Sequence, residues 1–237
     1  MHLKPGVTLV FARAREIPYA LKDAYAKEID KKIASGHCIR IDHFEWASKT
    51  HVVMRKNGKI RITGNYKSTL NSRIVIDEHP IPRQEDIFNK MHGAKVFCHL
   101  DITDAYTALT VDEKFSEALT LNTPTHGLIR PSTAVHGAAN IPAIWQRKIE
   151  SLIKDIPGVL NFFDDLVLFA DSLDSLLQTM DVVLTRLYKS RLRLNRSKWT
   201  FAAPAIEFLG HKIDASGIHK SDKHIHAILN APEPTTP

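Results

Sequence analysis

Three acidic residues hold the chemistry that this chain has to offer. Asp164 and Asp165 stand side by side between two apolar runs, Val159-Leu160-Asn161-Phe162-Phe163 and Leu166-Val167-Leu168-Phe169. Adjacent carboxylates repel, and apolar strands beside them remove water, so the pair costs stability unless cations compensate it. A divalent ion such as Mg²⁺ does so well. It takes carboxylate oxygens, keeps several waters and completes its shell with substrate phosphates. A third acid, Asp101, ends the run Val96-Phe97-Cys98-His99-Leu100. If the two strand ends share a sheet, three carboxylates converge and can hold two ions, an arrangement that serves phosphoryl transfer. A plainer reading stays open at this level: Asp suits turns, and Asp101 can cap a following helix.

The elements that must position these acids are legible in the spacing. Pro18 opens a helical pattern with Leu21, Tyr25, Ile29 and Ile33 at four-residue intervals, closed by Gly36. His51 to Met54 and Lys59 to Ile62 flank Asn57-Gly58, a hairpin signal. A short helix is predicted over 83–92 and a buried strand over 95–100. Pro142 sits near the start of a helix that turns Ile144, Trp145, Ile149, Leu152 and Ile153 inward. Residues 159–169 form a second hairpin with the acid pair at its tip. Ser172 caps a helix through about 190, whose inner face is read as Leu173, Leu176, Leu177, Met180, Leu184, Leu187 and Tyr188. Residues 206–213 read as strand and turn. Mixed helices and hairpins make this an α+β chain.

Composition narrows the class. The chain has 237 residues, 43% hydrophobic and 24% charged, the balance of a folded globular protein. No apolar stretch is long enough to span a bilayer, and the N-terminus lacks a secretory pattern. Cys38 and Cys98 have no metal-type spacing and are read as reduced thiols. The net charge of +6 is uneven, with +8 in residues 1–67. A basic N-terminal third fits a polyanionic partner, since each phosphate contact releases counterions; a solvated helix face explains the same charge.

Seven boxes, in order, resemble the reverse transcriptases of Gypsy-type LTR retrotransposon Pol polyproteins. Leu100-Asp101-Ile102-Thr103-Asp104-Ala105-Tyr106 resembles their first catalytic motif, and Phe162-Phe163-Asp164-Asp165-Leu166 their aromatic-x-Asp-Asp box. Arg61 to Lys67 is similar to the fingers motif ending in Asp-Tyr-Lys, and Asp77 to Pro82 to the entry into the palm. Pro142 to Arg147 resembles the start of the central palm helix. Leu192 to Lys198 and Phe208 to His211 resemble the last two palm motifs.

The resemblance implies a right-hand polymerase: fingers at 1–78 and 109–140, palm at 79–108 and 141–220, and the start of an incomplete thumb at 221–237, with an antiparallel palm sheet packed on helices. Asp101, Asp164 and Asp165 would hold two Mg²⁺ ions, for which Mn²⁺ can substitute. Lys198 would protonate the leaving pyrophosphate. Arg61 and Lys56 would contact the incoming deoxynucleoside triphosphate, Tyr106 would screen its sugar, and His136 and Gln146 would line the same site. Phe162, Phe163, Leu209, Gly210 and His211 would meet the template-primer, of RNA or DNA. RNase H and integrase segments are expected in a full-length polyprotein, absent here, and the location is expected to be intracellular, cytoplasmic in a virus-like particle or nuclear, not secreted.

Two departures stand against the pattern. Asn65 replaces the usual Asp of the fingers motif, which is expected to loosen the loop that holds Arg61. Thr133-Ala134-Val135-His136-Gly137 replaces Arg, an apolar residue, Pro, Phe and Gly, leaving Gly137, Asn140 and Pro142 as clear matches. A catalytically inactive remnant that only binds nucleic acid is therefore the rival expectation.

Overall fold

The computed structural model describes residues 2–8, 10–55, 58–221, 225–226 and 229–230. In chain order the helices are α1 (Lys22–Ala34), α2 (Gln84–Lys90), α3 (Glu113–Ala118), α4 (Ile141–Ile153) and α5 (Leu173–Lys189). The strands are β1 (Cys38–Ile41), β2 (Ser48–Met54), β3 (Ile60–Asn65), β4 (Val96–Asp101), β5 (Leu121–Thr123), β6 (Gly127–Pro131), β7 (Val159–Phe162), β8 (Asp165–Ala170), β9 (Thr200–Ala203), β10 (Ala205–Phe208), β11 (His211–Asp214) and β12 (Gly217–Lys220). The chain divides into two compact units: residues 1–79 with 104–145, and 80–103 with 146–237. These breaks differ by one to five residues from those expected at 78, 108 and 140, so Tyr106 and the first residues of α4 belong to the first unit.

The first unit is built on a five-stranded sheet in the order β1-β6-β5-β2-β3. Its β2–β3 hairpin is antiparallel, with Met54 opposite Ile60, while β2 and β5 pair in parallel. Tyr25 and Ile29 of α1 are buried, as their four-residue spacing requires, and the Tyr25 hydroxyl meets Thr50 Oγ1 at 2.8 Å. Asn65 was expected to loosen its loop; it lies in regular strand opposite Lys49, and the next residue, Tyr66, is buried with its hydroxyl donating to the Leu119 carbonyl at 2.8 Å. That burial and hydrogen bond anchor the strand end.

The second unit contains a four-stranded sheet, β7-β8-β4-β9, antiparallel throughout, and a three-stranded sheet, β10-β11-β12. Leu166, Val167 and Leu168 of β8 are all fully buried, so this strand is covered on both faces and reads as a continuous apolar run. Phe97, Leu160 and Val167 share a core with Ile87, Phe88 and Met91 from the α2 region and with Ile206, Phe208 and Ile213 from β10 and β11.

Helix α5 begins where Ser172 predicts it, with the Ser172 Oγ accepting from the Ser175 amide. Its inner stripe is Leu176, Met180, Val183 and Leu187. Leu173, Leu177 and Tyr188 were expected on that face but are exposed: Leu177 and Tyr188 each lie a 100° step round from Leu176 and Leu187, and Leu173 is the first residue of the helix. The expected thumb helix at 221–237 lies largely outside the described residues, as does Asn57 of the first hairpin turn. Among the described residues no helix is long and apolar enough to cross a membrane. Cys38 and Cys98 are buried and unpaired, and burial pushes the Cys38 thiol up to about 11.

Candidate active site

Strand β7 turns into β8 through two residues, Phe163 and Asp164, between the paired Phe162 and Asp165. Phe163 adopts φ 52°. A positive φ suits the first centre of a tight hairpin but is costly for a bulky side chain, so the surroundings must hold it there. Gln146 does this from α4. Its Oε1 accepts the Phe163 amide at 3.0 Å, and its Nε2 donates to Glu150 Oε1 at 2.8 Å. Gln146 is fully buried. Its amide is engaged in the hairpin, which makes it a brace for the tip.

The hairpin tip is fastened to the end of β4. Asp101 lies directly opposite Asp165 in the β4–β8 register, and the Ile102 amide donates to the Asp164 carbonyl at 2.9 Å. Cross-strand partners keep their Cβ atoms about 4.5–5.5 Å apart. The sequence expectation that these acids sit side by side therefore has its backbone geometry, with Asp101 and Asp165 on the same face of the sheet.

Asp101 and Asp165 each face a nitrogen. Lys198 Nζ donates to Asp101 Oδ2 at 2.8 Å, and His99 Nε2 meets Asp165 Oδ1 at 3.0 Å. Lys198 ends a short 3-10 turn, Arg196–Lys198, placed by a run of backbone bonds: Thr103 N–H to Arg193 O and Asn195 N–H to Asp101 O, both at 2.8 Å. Of the other cations near it in sequence, Arg186 is spent on the Leu152 carbonyl and lies 3.7 Å from Asp155.

Three hard carboxylates at adjoining backbone positions fit a divalent cation in donor chemistry. They are not gathered into a cage: among the described residues no three His, Cys, Asp or Glu side chains stand ready to hold a metal. The reason is visible in the contacts above, since Asp101 turns to Lys198 and Asp165 to His99.

The remaining expected positions in this unit are structural neighbours of the hairpins. Phe162 and Phe163 pack edge to face at 4.7 Å. Leu209 and Gly210 form the β10–β11 turn with φ of 49° and 77°, both positive as a type I′ turn demands. His211 packs edge-on against Phe88 at 5.1 Å, and its Nδ1 meets the Leu209 carbonyl at 3.0 Å.

Arg61, Tyr106 and His136 belong to the first unit. Arg61 is exposed on β3 opposite Val53, and Lys56 lies outside the described residues. Tyr106 packs on His136 with ring centroids 4.7 Å apart and lies edge-on to Trp145. Burial, helped by the charges of Arg61, Lys32 and Arg55, lowers the His136 pKa to about 4. His136 is therefore a neutral aromatic partner for Tyr106. The divergent segment around it keeps its shape through other residues. The Gly64 amide donates to His136 O at 3.0 Å, and Asn71 Nδ2 donates to Gly137 O at 2.9 Å. Asn140 bonds the backbone of Asp77 and Val75.

The sequence reading missed the contacts of two side chains. His99 was read only as part of a buried strand; its signal was the two-residue spacing from Asp101, which puts both on one face. The bracing role of Gln146 had no local signal, because its partner is seventeen residues away.

Comparison with known proteins agrees with this geometry. The family model described as reverse transcriptase (RNA-dependent DNA polymerase) matches residues 53–213. The chain is 29% identical over 228 residues to the Caenorhabditis elegans protein K02A2.6, covering 95% of this chain and 18% of that one. It is 27% identical to the retrovirus-related Pol polyprotein from transposon opus of Drosophila melanogaster, covering 96% of this chain and 23% of that one. It thus spans about a fifth of the length of these relatives. Among solved structures, the foamy viral protease-reverse transcriptase in complex with double-stranded DNA superposes with a TM-score of 0.89 at 18% identity, over 96% of this chain and 40% of that one. The α+β polymerase fold expected from the motifs is the fold found.

Proposed function

The chain belongs to the reverse transcriptase (RNA-dependent DNA polymerase) family, and we propose that it is the part of a retrotransposon Pol polyprotein that extends a primer on an RNA or DNA template. The substrates are deoxynucleoside triphosphates. The primer 3′-hydroxyl attacks the α-phosphate and pyrophosphate leaves, a reaction in which positioning and charge neutralisation do most of the catalysis.

The observation that supports this most is the pairing of Asp101 with Asp165 across adjacent strands, with Asp164 tied to Ile102 beside them. Asp101, Asp164 and Asp165 would hold two Mg²⁺ or Mn²⁺ ions. Bound there, such ions lower the pKa of the attacking hydroxyl and offset the charge on the leaving pyrophosphate. The chain's own residues do the rest. Lys198, whose Nζ donates to Asp101, would give a proton from that Nζ to the leaving pyrophosphate oxygen. Lys198 suits that role, because its side chain is 62% exposed while that of Asp101 is 17% exposed. Arg61 grips phosphate oxygens with its planar fork. Tyr106, backed by neutral His136, presents its ring to the sugar. Leu209 to His211 support the primer end.

A second reading rests on His136 and Asn65: a chain that has lost synthesis and only binds nucleic acid. Primer extension separates the two. Purified protein with poly(rA), oligo(dT), dTTP and Mg²⁺ or Mn²⁺ extends the primer at least about a hundredfold faster than an Asp164→Asn variant, the scale of losing one organising charge at a site. Extension equal to that of the variant contradicts the proposal. Binding of an RNA–DNA hybrid that weakens with salt, without extension, favours the second reading.

A further inference from the structure

The two nitrogens on the paired carboxylates are held very differently. Lys198 reaches Asp101 on a long, mostly exposed stem from a short turn. His99 is part of the sheet itself. It sits in β4 opposite Val167 of β8 and Thr200 of β9, two residues before Asp101 and therefore on the same face. Its diagonal cross-strand neighbour is Asp165. Its ring is 21% exposed and lies edge-on to Phe208, with centroids 5.9 Å apart. Phe208 is itself 3% exposed and belongs to the core of the second unit. Strands on both sides and an aromatic ring thus fix where the Nε2 atom points.

Resting on the polymerase reading above, we infer that His99 is a positioning residue for Asp165. Its imidazole, donating from Nε2 to Asp165 Oδ1, fixes the carboxylate plane and leaves the other oxygen for a divalent cation. The terminal torsion of an aspartate is broad and two-fold, so without a donor the plane is free to turn. A rigid donor behind a ligand carboxylate selects one orientation before the cation arrives. The loss of such partners typically costs about 10–100-fold in metal affinity. Lys198 cannot do this for Asp101, because a flexible ammonium is a removable counter-charge, whereas the imidazole of His99 is anchored on three sides. The pair of acids is thereby asymmetric: Asp165 is preset and Asp101 is adjustable.

The test is Mn²⁺ binding to the full chain, followed by electron paramagnetic resonance without substrate. His99→Ala weakens Mn²⁺ binding about 10–100-fold, and His99→Gln, whose amide nitrogen can reach the same place as Nε2, restores most of it. In primer extension His99→Ala lowers kcat and raises the Mg²⁺ concentration needed, with the KM for dTTP nearly unchanged; a merely structural defect would shift the melting temperature and leave the metal requirement alone. Mn²⁺ affinity unchanged in His99→Ala but reduced in Asp165→Asn overturns this inference and spares the polymerase reading. Affinity unchanged in both overturns the two together. Failure of His99→Gln to restore affinity, when it folds as the wild type does, overturns the role of the donated hydrogen bond.

Discussion

The chain contains two hairpins built from the same kind of apolar strand and anchored at opposite ends. The β2–β3 hairpin turns through Gly58, with φ 75° and open space where a side chain would go. Its anchor is at the far end, where Gly64 and Gly137 approach so closely that a Cβ on Gly137 would collide with the Gly64 carbonyl. The β7–β8 hairpin is anchored at its tip: the left-handed Phe163 is braced by Gln146, and Asp164 is fastened to Ile102. Gly58 adopts its positive φ without support, because glycine has no Cβ to clash. A turn made of Phe and Asp breaks the local rules, and the fold spends a buried glutamine and a strand end to keep it. Strain of that kind, held from outside, is what separates the acid pair from an ordinary Asp-rich turn.

Substitutions at the two anchors sharpen this contrast. Gly137→Ala strikes backbone and also needs φ 112°, so it should destabilise the first unit by at least about 3 kcal/mol, read by urea unfolding. Gln146→Ala opens a cavity and strips the Phe163 amide of its acceptor, for about 2–4 kcal/mol; primer extension should fall with it, and full activity in this variant would break the claim that the tip must be braced. Gly58→Ala keeps the space but not the backbone preference, and should cost only about 1–2 kcal/mol.

The smallest effect is one of pH. His136 has its folded pKa lowered to about 4 from an ordinary 6.5, so between those values the unfolded chain takes up a proton that the folded chain refuses. Its contribution is complete above pH 6.5 and is lost as pH falls toward 4. After allowance for partial exposure it is about 1 kcal/mol. A His136→Gln variant should lose less stability over that window than the wild type does, and an equal loss would contradict the assignment.

How far the sequence speaks follows the same division. Features governed by neighbours along the chain were readable: the helix start at Ser172, the strand ending at Asp101, both hairpins, and the turn of the second. The residues that hold those features together were not. Gln146, His99 and Asn71 act across long sequence separations, and nothing in their local pattern distinguishes them from packing residues. Strands β5, β9 and β12 are too short for a period-two pattern to register, so periodicity alone gives no strand. The misplaced face of α5 has a different cause: Leu177 and Tyr188 are apolar but lie beside the buried stripe, Leu173 is the first residue of the helix, and apolar residues on the surface are common. The family motifs supplied what periodicity could not, the joint placement of Asp101 and the acid pair.

The central proposal is that Asp101 exchanges Lys198 for a divalent cation when substrate arrives, while Asp165 binds one with His99 still in place. Anomalous diffraction from crystals grown with template-primer, a non-hydrolysable deoxynucleoside triphosphate and Mn²⁺ tests it directly. The expected result is manganese bonded to both carboxylates, with Lys198 displaced from Asp101 and His99 still on Asp165. Manganese absent from these oxygens, with the Lys198–Asp101 bond intact beside a bound nucleotide, would contradict it.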